Sequence, residues 1–190
     1  MCAETVADLG QTDWGSPPTV VIDESTAART IERINDTGLR LLTRAVDESD
    51  ADDDVFLFCE DDVAFNRSLR HNVVRWGPVV DRRADGQLFG SLYNANVVLP
   101  ATGGTSATVA DPCRFYGSQG MVMSITTARS LVEWWDDGYG PLDLRISRLA
   151  ARWSPLWYHQ PSLVQHRAVE STWGGAHHSA VDFSADWRAR

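Results

Sequence analysis

The residues of this chain best placed to do chemistry are Glu60, Asp61 and Asp62, which come directly after the apolar run Val55-Phe56-Leu57-Phe58-Cys59. On an extended segment, side chains one residue apart point to the same side, so Glu60 and Asp62 can face a common hard cation such as manganese or magnesium. Asp53-Asp54 offers a control, because an acidic chain produces such pairs by chance. It precedes the apolar run instead of following it and reads as a solvated loop. Taken alone, the triplet is compatible with a cation site or with an acidic turn.

Composition narrows what such a site could serve. The net charge is −9, and all 17 cationic residues are arginine. A general nucleic-acid binder needs clustered positive charge, which argues against that class. Without lysine, a Walker-type phosphate loop and Schiff-base chemistry are both excluded. Anionic phosphate would have to be met by arginine, backbone N–H groups or a metal. Cys2, Cys59 and Cys113 are odd in number and contain no CxxC pair, so they read as reduced thiols, not a zinc site or a disulfide frame. Cys59 reads as a strand-end core residue. No apolar run approaches the roughly 20 residues of a membrane span. The first residues lack a basic region followed by an apolar core, so a cytoplasmic location is expected. Peripheral membrane contact stays open.

The elements that must position these residues follow from periodicity and turn chemistry. Residues 1–18 form a polar lead-in ending in Gly15-Ser16-Pro17-Pro18, expected to be poorly structured. Thr19-Val20-Val21-Ile22 predicts a buried strand, and Thr26 to Val46 a helix broken or split at Thr37-Gly38. Val55 to Cys59 predicts a second strand, Leu69 to Trp76 a helix, and Leu88 to Tyr93 a third strand. Gly120 to Ser124 predicts a further strand, followed by a helix capped by Thr126 or Thr127 and running to about Trp135. Leu142 to Trp153 reads as helix and Pro161 to His166 as a last short strand. This alternation implies an α/β fold with a mostly parallel central sheet, whose ligands gather at the carboxyl ends of the strands. One domain over residues 19–175 and a C-terminal tail over 176–190 complete the division.

Four motifs occur in an order that resembles a known family. Phe56-Leu57-Phe58-Cys59-Glu60-Asp61-Asp62-Val63 resembles the strand and acidic "DxD" motif, in its "EDD" version, of GT-A-fold glycosyltransferases. Gly117-Ser118-Gln119-Gly120-Met121-Val122-Met123-Ser124 resembles their later "G-S-x-G" strand. Pro141-Leu142-Asp143 resembles the Pro-hydrophobic-Asp segment that follows it. Pro161-Ser162-Leu163-Val164-Gln165-His166, continuing to Ser171-Thr172, resembles the "PSLxQHxGxxS" ending. The similarity spans roughly Thr19 to Gly175. It departs from the family where Arg167-Ala168-Val169 replaces the glycine after the histidine. The strand and helix that precede the Asp23 region in the family have no counterpart before Thr19, as in a compact variant, a fragment or a remnant with weakened donor binding.

The resemblance implies a transferase that moves a sugar from a nucleotide-diphosphate sugar to a hydroxyl acceptor, such as a glycan or lipopolysaccharide-type acceptor, with inversion slightly preferred. It implies Mn2+ or Mg2+ held directly by Asp62, by His166, and by Glu60 through water, unless Glu60 contacts the sugar instead. On its residues alone, His166 reads more readily as a strand-end histidine bonded to backbone than as a ligand. Asp143 is implied as the general base, against a plain helix cap after Pro141. Asp23 and Asp61 would contact the nucleotide sugar, although a strand-to-helix cap also explains Asp23. Arg114 and Arg167 would pair with the diphosphate, or are surface charges. Ser118, Gln119 and Trp173 would face the acceptor, while turn chemistry explains the first two, and Trp134, Trp135, Trp153 and Trp157 read as core. Two rivals stand beside this reading: a nucleotide-sugar or carbohydrate-binding domain without turnover, and a metal-dependent phosphoester hydrolase or nucleotidyltransferase.

Overall fold

Alternation along the strands sorts the apolar side chains into two cores, one on each face of a single sheet. Phe58, Met121, Met123, Leu156 and Tyr158 face one way, and Leu57, Cys59, Val122 and Trp157 the other. The computed structural model describes residues 2–51, 54–82, 86–95, 104–167 and 179–190. Among these, six α-helices accompany a five-stranded mixed sheet and a two-stranded ribbon.

The sheet has the order β1-β5-β3-β6-β4, formed by β1 (Val55–Cys59), β3 (Phe89–Ser91), β4 (Ser106–Val109), β5 (Gly120–Ser124) and β6 (Leu156–His159). Only the β3–β6 pairing is parallel; β1–β5, β3–β5 and β4–β6 are antiparallel. The expected mostly parallel sheet is therefore corrected. Runs such as Val-Phe-Leu-Phe-Cys and Gly-Met-Val-Met-Ser are apolar because both faces of their strands are covered, and such a run carries no strand direction. A separate ribbon pairs β2 (Val63–Phe65) with β7 (Val164–His166), antiparallel.

Helices α2 (Thr30–Glu48), α5 (Ile125–Glu133) and α6 (Leu142–Ala150) contribute Leu42, Leu131, Ile146 and Leu149 to the first core. α2 runs without a break through the expected interruption. Gly38 serves close helix contact instead, since a Cβ there would lie 2.4 Å from Leu142 Cδ1. α5 is capped by Ser124, whose hydroxyl accepts the Thr127 N–H, and not by Thr126 or Thr127. The opposite core is closed by α1 (Cys2–Leu9), α3 (Leu69–Arg75) and the short α4 (Gly77–Val80), with Leu9, Leu69, Trp76 and Val79 buried there.

Three further expectations are corrected. Residues 19–22 form no strand: Val20 and Ile22 are exposed, and the segment is tied to α2 through Arg40 to the Ile22 carbonyl and Thr19 to Glu48. The lead-in is structured, because Thr5 and Leu9 of α1 are buried and the Asp13 carboxylate accepts the N–H groups of Arg70 and His71 at the start of α3. Residues 179–190 pack as part of the domain: Asn66 donates to the carbonyls of Ser184 and Trp187, and Ala180 is buried. Among the described residues no helix is long and apolar enough to cross a membrane.

Candidate functional site

The turn leaving β1 alternates as an extended chain does. Asp61 is exposed, while Glu60 and Asp62 turn inward. The turn is braced from behind by α1, where the Thr5 hydroxyl donates to the Asp61 carbonyl at 2.8 Å. Because β5 runs antiparallel to β1, with Cys59 opposite Gly120, the residues entering β5 lie beside those leaving β1. The Ser118 hydroxyl donates to Glu60 Oε1 in a short contact, and Gln119 Nε2 donates to Oε2 at 3.1 Å. Burial pushes the Glu60 carboxyl above the ordinary range; the Ser118 bond opposes this, while the charges of Asp62 and Asp143 add to it. Cys59, next to it, is a core thiol that burial pushes up to about 12.

The β2–β7 ribbon supplies the second wall. Its register sets Val63 opposite His166, and the Arg167 N–H donates to the Asp62 carbonyl at 2.8 Å. His166 Nε2 therefore lies 3.0 Å from Asp62 Oδ2, with 11% of the histidine side chain and 18% of the aspartate side chain exposed. The other Asp62 oxygen, Oδ1, is buried without a hydrogen-bond partner among the described residues.

Asp143 closes the cluster from the first turn of α6. Its Oδ2 accepts the Gly117 N–H at 3.1 Å and its Oδ1 the Leu144 N–H at 2.8 Å. Two backbone amides thus fix the carboxylate while each oxygen keeps lone-pair capacity. Gly117 has φ +94°, and a Cβ there would sit 2.3 Å from Gln119 Oε1 and 3.1 Å from the Tyr93 ring. Backbone conformation and space both demand glycine at this position.

Three carboxylates, Glu60, Asp62 and Asp143, thus share one region with a single imidazole. Chain segments far apart in sequence bring Ser118, Gln119, Asp143 and His166 to Glu60 and Asp62. Arg167 belongs to a different contact: its guanidinium holds Asp8 at 2.7 Å and the Val63 carbonyl at 3.0 Å, anchoring α1. Asp23 is engaged by Arg33, Thr37 and the Ser25 N–H on the exposed side of α2, and none of these bonds reaches the cluster. Arg114 is exposed on the 3-10 turn Pro112–Arg114. Trp173 lies outside the described residues. Tyr93, just past the end of β3, went unnoticed in the sequence. The rule that ligands gather at strand ends would have pointed to it.

Among the described residues, no group of three or more His, Cys, Asp or Glu side chains converges tightly enough to hold a metal ion unaided. Glu60 is taken up by Ser118 and Gln119. Asp62 and His166 nevertheless fit a cation as a pair. Their 3.0 Å separation is that of two neighbouring ligands on an octahedron with bonds of about 2.1 Å. Magnesium-type ions commonly take one or two protein ligands and complete their shell with substrate phosphate and water. Searches of protein-family models, curated proteins and solved structures find none that matches this chain.

Proposed function

We propose that this chain is a metal-dependent glycosyltransferase with a GT-A-type domain, moving a sugar from a nucleotide-diphosphate sugar to a hydroxyl of a glycan or similar acceptor. The observation that carries the reading is the meeting of Asp62 and His166 beside a buried, unpartnered carboxylate oxygen, with Asp143 fixed nearby by two backbone amides. Three carboxylates against one imidazole leave a negative region that a cation would balance. A Mn2+ or Mg2+ ion held by Asp62 and His166 would supply positive charge to the leaving diphosphate.

The chain's own residues account for the remainder. Glu60, held by Ser118 and Gln119, keeps the floor of the site rigid and polar. Asp143 accepts the proton of the acceptor hydroxyl as its oxygen bonds to the anomeric carbon and the bond to the diphosphate breaks, with its electron pair leaving on the phosphate. Attack by an acceptor activated in this way inverts the anomeric centre. Asp61, on the exposed side of the turn, remains available to the nucleotide. A cytoplasmic setting, with peripheral membrane contact where the acceptor is lipid-linked, goes with this reading.

The test is release of nucleoside diphosphate from a panel of nucleotide sugars with manganese, then with excess EDTA. Turnover that needs the metal and falls in Asp143→Asn supports the proposal. Manganese-dependent binding without turnover would favour a binding domain. Cleavage of a simple phosphodiester, with no response to any nucleotide sugar, would favour a hydrolase.

A further inference from the structure

Tyr93 is 2% exposed, and its hydroxyl is buried without a hydrogen-bond partner among the described residues. Its backbone is held on both sides, since the Ser91 hydroxyl donates to the Tyr93 carbonyl at 2.7 Å and accepts the Tyr93 N–H at 3.1 Å. The ring lies against the Gly117 α-carbon, in the same narrow space as Gln119 Oε1. A phenol has only two torsions, so this hydroxyl is placed with little freedom. Burying it unpaired is unfavourable, and the expense is tolerated here within the carboxylate cluster.

Two more unpartnered atoms belong to the same cluster, Gln119 Oε1 and Asp62 Oδ1, and both are pure acceptors. The neighbouring positions are already used: Glu60 by Ser118 and Gln119, and Asp62 Oδ2 by His166. A group that satisfies this set must accept from the phenol and donate to an amide or carboxylate oxygen. A hydroxyl does both, whereas a diphosphate oxygen offers no proton to either acceptor. Asp62 and His166 keep part of their side-chain surface exposed, so the cluster reaches solvent at that edge. Burial, then the charges of Glu60 and Asp62, push the phenol up to about 12, so it remains a neutral donor at physiological pH.

We infer that Tyr93 is a ligand-contacting residue of this site, its phenol donating to a hydroxyl of the donor sugar. This rests on the nucleotide-sugar reading above. It assigns sugar recognition to the floor of the cluster and leaves the diphosphate to the Asp62–His166 edge.

The test is Tyr93→Phe, which removes one oxygen and nothing else. Affinity for the nucleotide sugar that binds wild type best should fall by about 3- to 10-fold with manganese present. Affinity for the matching nucleoside diphosphate, which lacks the sugar, should stay the same. The ligand-free variant should melt at or above the wild-type temperature, since an unpaired buried hydroxyl has been removed. Unchanged affinity for the nucleotide sugar overturns the inference, as does an equal loss for the nucleoside diphosphate. Free monosaccharides form a separate arm. If wild type binds one of them, more weakly after Tyr93→Phe, but binds no nucleotide sugar, the inference stands and the transferase reading falls. If wild type binds neither class, both fall.

Discussion

Two regions of this molecule bury polar side chains, and they treat them in opposite ways. Where residues 179–190 return to the domain, Asn66 and Asn72 are fully buried and fully paired. Asn66 donates to the Ser184 and Trp187 carbonyls and accepts from Ser68 N–H and Asn72; Asn72 also donates to Trp187 and accepts from Ala189 N–H. Beside them His159 lies between Trp76 and Trp187, with Nδ1 bonded to the Pro161 carbonyl at 2.7 Å. At the carboxylate cluster, by contrast, Asp62 Oδ1, Gln119 Oε1 and Tyr93 Oη are buried and unpaired among the described residues. Completed networks fasten the chain to itself, whereas open ones keep capacity for a ligand at the expense of stability.

The largest expected effect that separates the two lies in Asp143. Asp143→Asn should lower turnover by about 10²- to 10⁴-fold, the range for a general base, with little change in melting temperature. A large loss of stability with turnover retained would move Asp143 into the structural class.

Asn66→Ala should do the reverse. It strips partners from buried carbonyls and N–H groups, and unfolding in urea should show a loss of about 2–4 kcal/mol. Manganese-dependent ligand binding by the folded fraction should not change. Gly117→Ala comes next, at roughly 1–3 kcal/mol, because φ is positive and the methyl group collides with Gln119. It should also weaken ligand binding, since Gln119 and Tyr93 would both shift. A cost confined to stability would separate the glycine from the site.

The smallest effect is in pH, where the two regions have opposite signs. Burial lowers His159 to about 4, so between about 6.5 and about 4 the unfolded chain takes a proton that the folded chain refuses. Stability from this residue is lost as pH falls through that window, and His159→Gln should flatten the decline. Burial raises Glu60, so its contribution is greatest below the unfolded carboxylate range and is lost as pH rises through the raised value. Glu60→Gln should therefore gain stability over wild type at about pH 8 and lose that advantage in acid. Urea midpoints across pH check both slopes.

Much of this contrast could be read in the residues and some could not. β1, β3, β5, α3 and α6 were legible because their apolar spacing is regular, and the inward turn of Glu60 and Asp62 follows from that of an extended chain. The Asp62–His166 contact was suggested only by a resemblance; its geometry comes from the β2–β7 register, and β2, three residues directly after the acidic turn, leaves too little periodicity to read. Val20 to Ile22 misled because a β-branched run states burial propensity without supplying a partner strand. α1 was hidden because its eight residues bury only one narrow face. Tyr93 lies where the strand-end rule points, but the unpaired state of its hydroxyl is a property of its neighbours, not of its own sequence.

The most direct measurement of the proposed cation site is the thermal shift of wild type and Asp62→Ala with manganese and a nucleotide-diphosphate sugar, separately and together. Wild type should be stabilised strongly only by the pair, by about 2–4 °C for each kcal/mol of binding, and Asp62→Ala should lose that response while folding normally. An equal response in Asp62→Ala, or stabilisation of wild type by the sugar nucleotide alone that manganese does not increase, would contradict a cation site at Asp62 and His166.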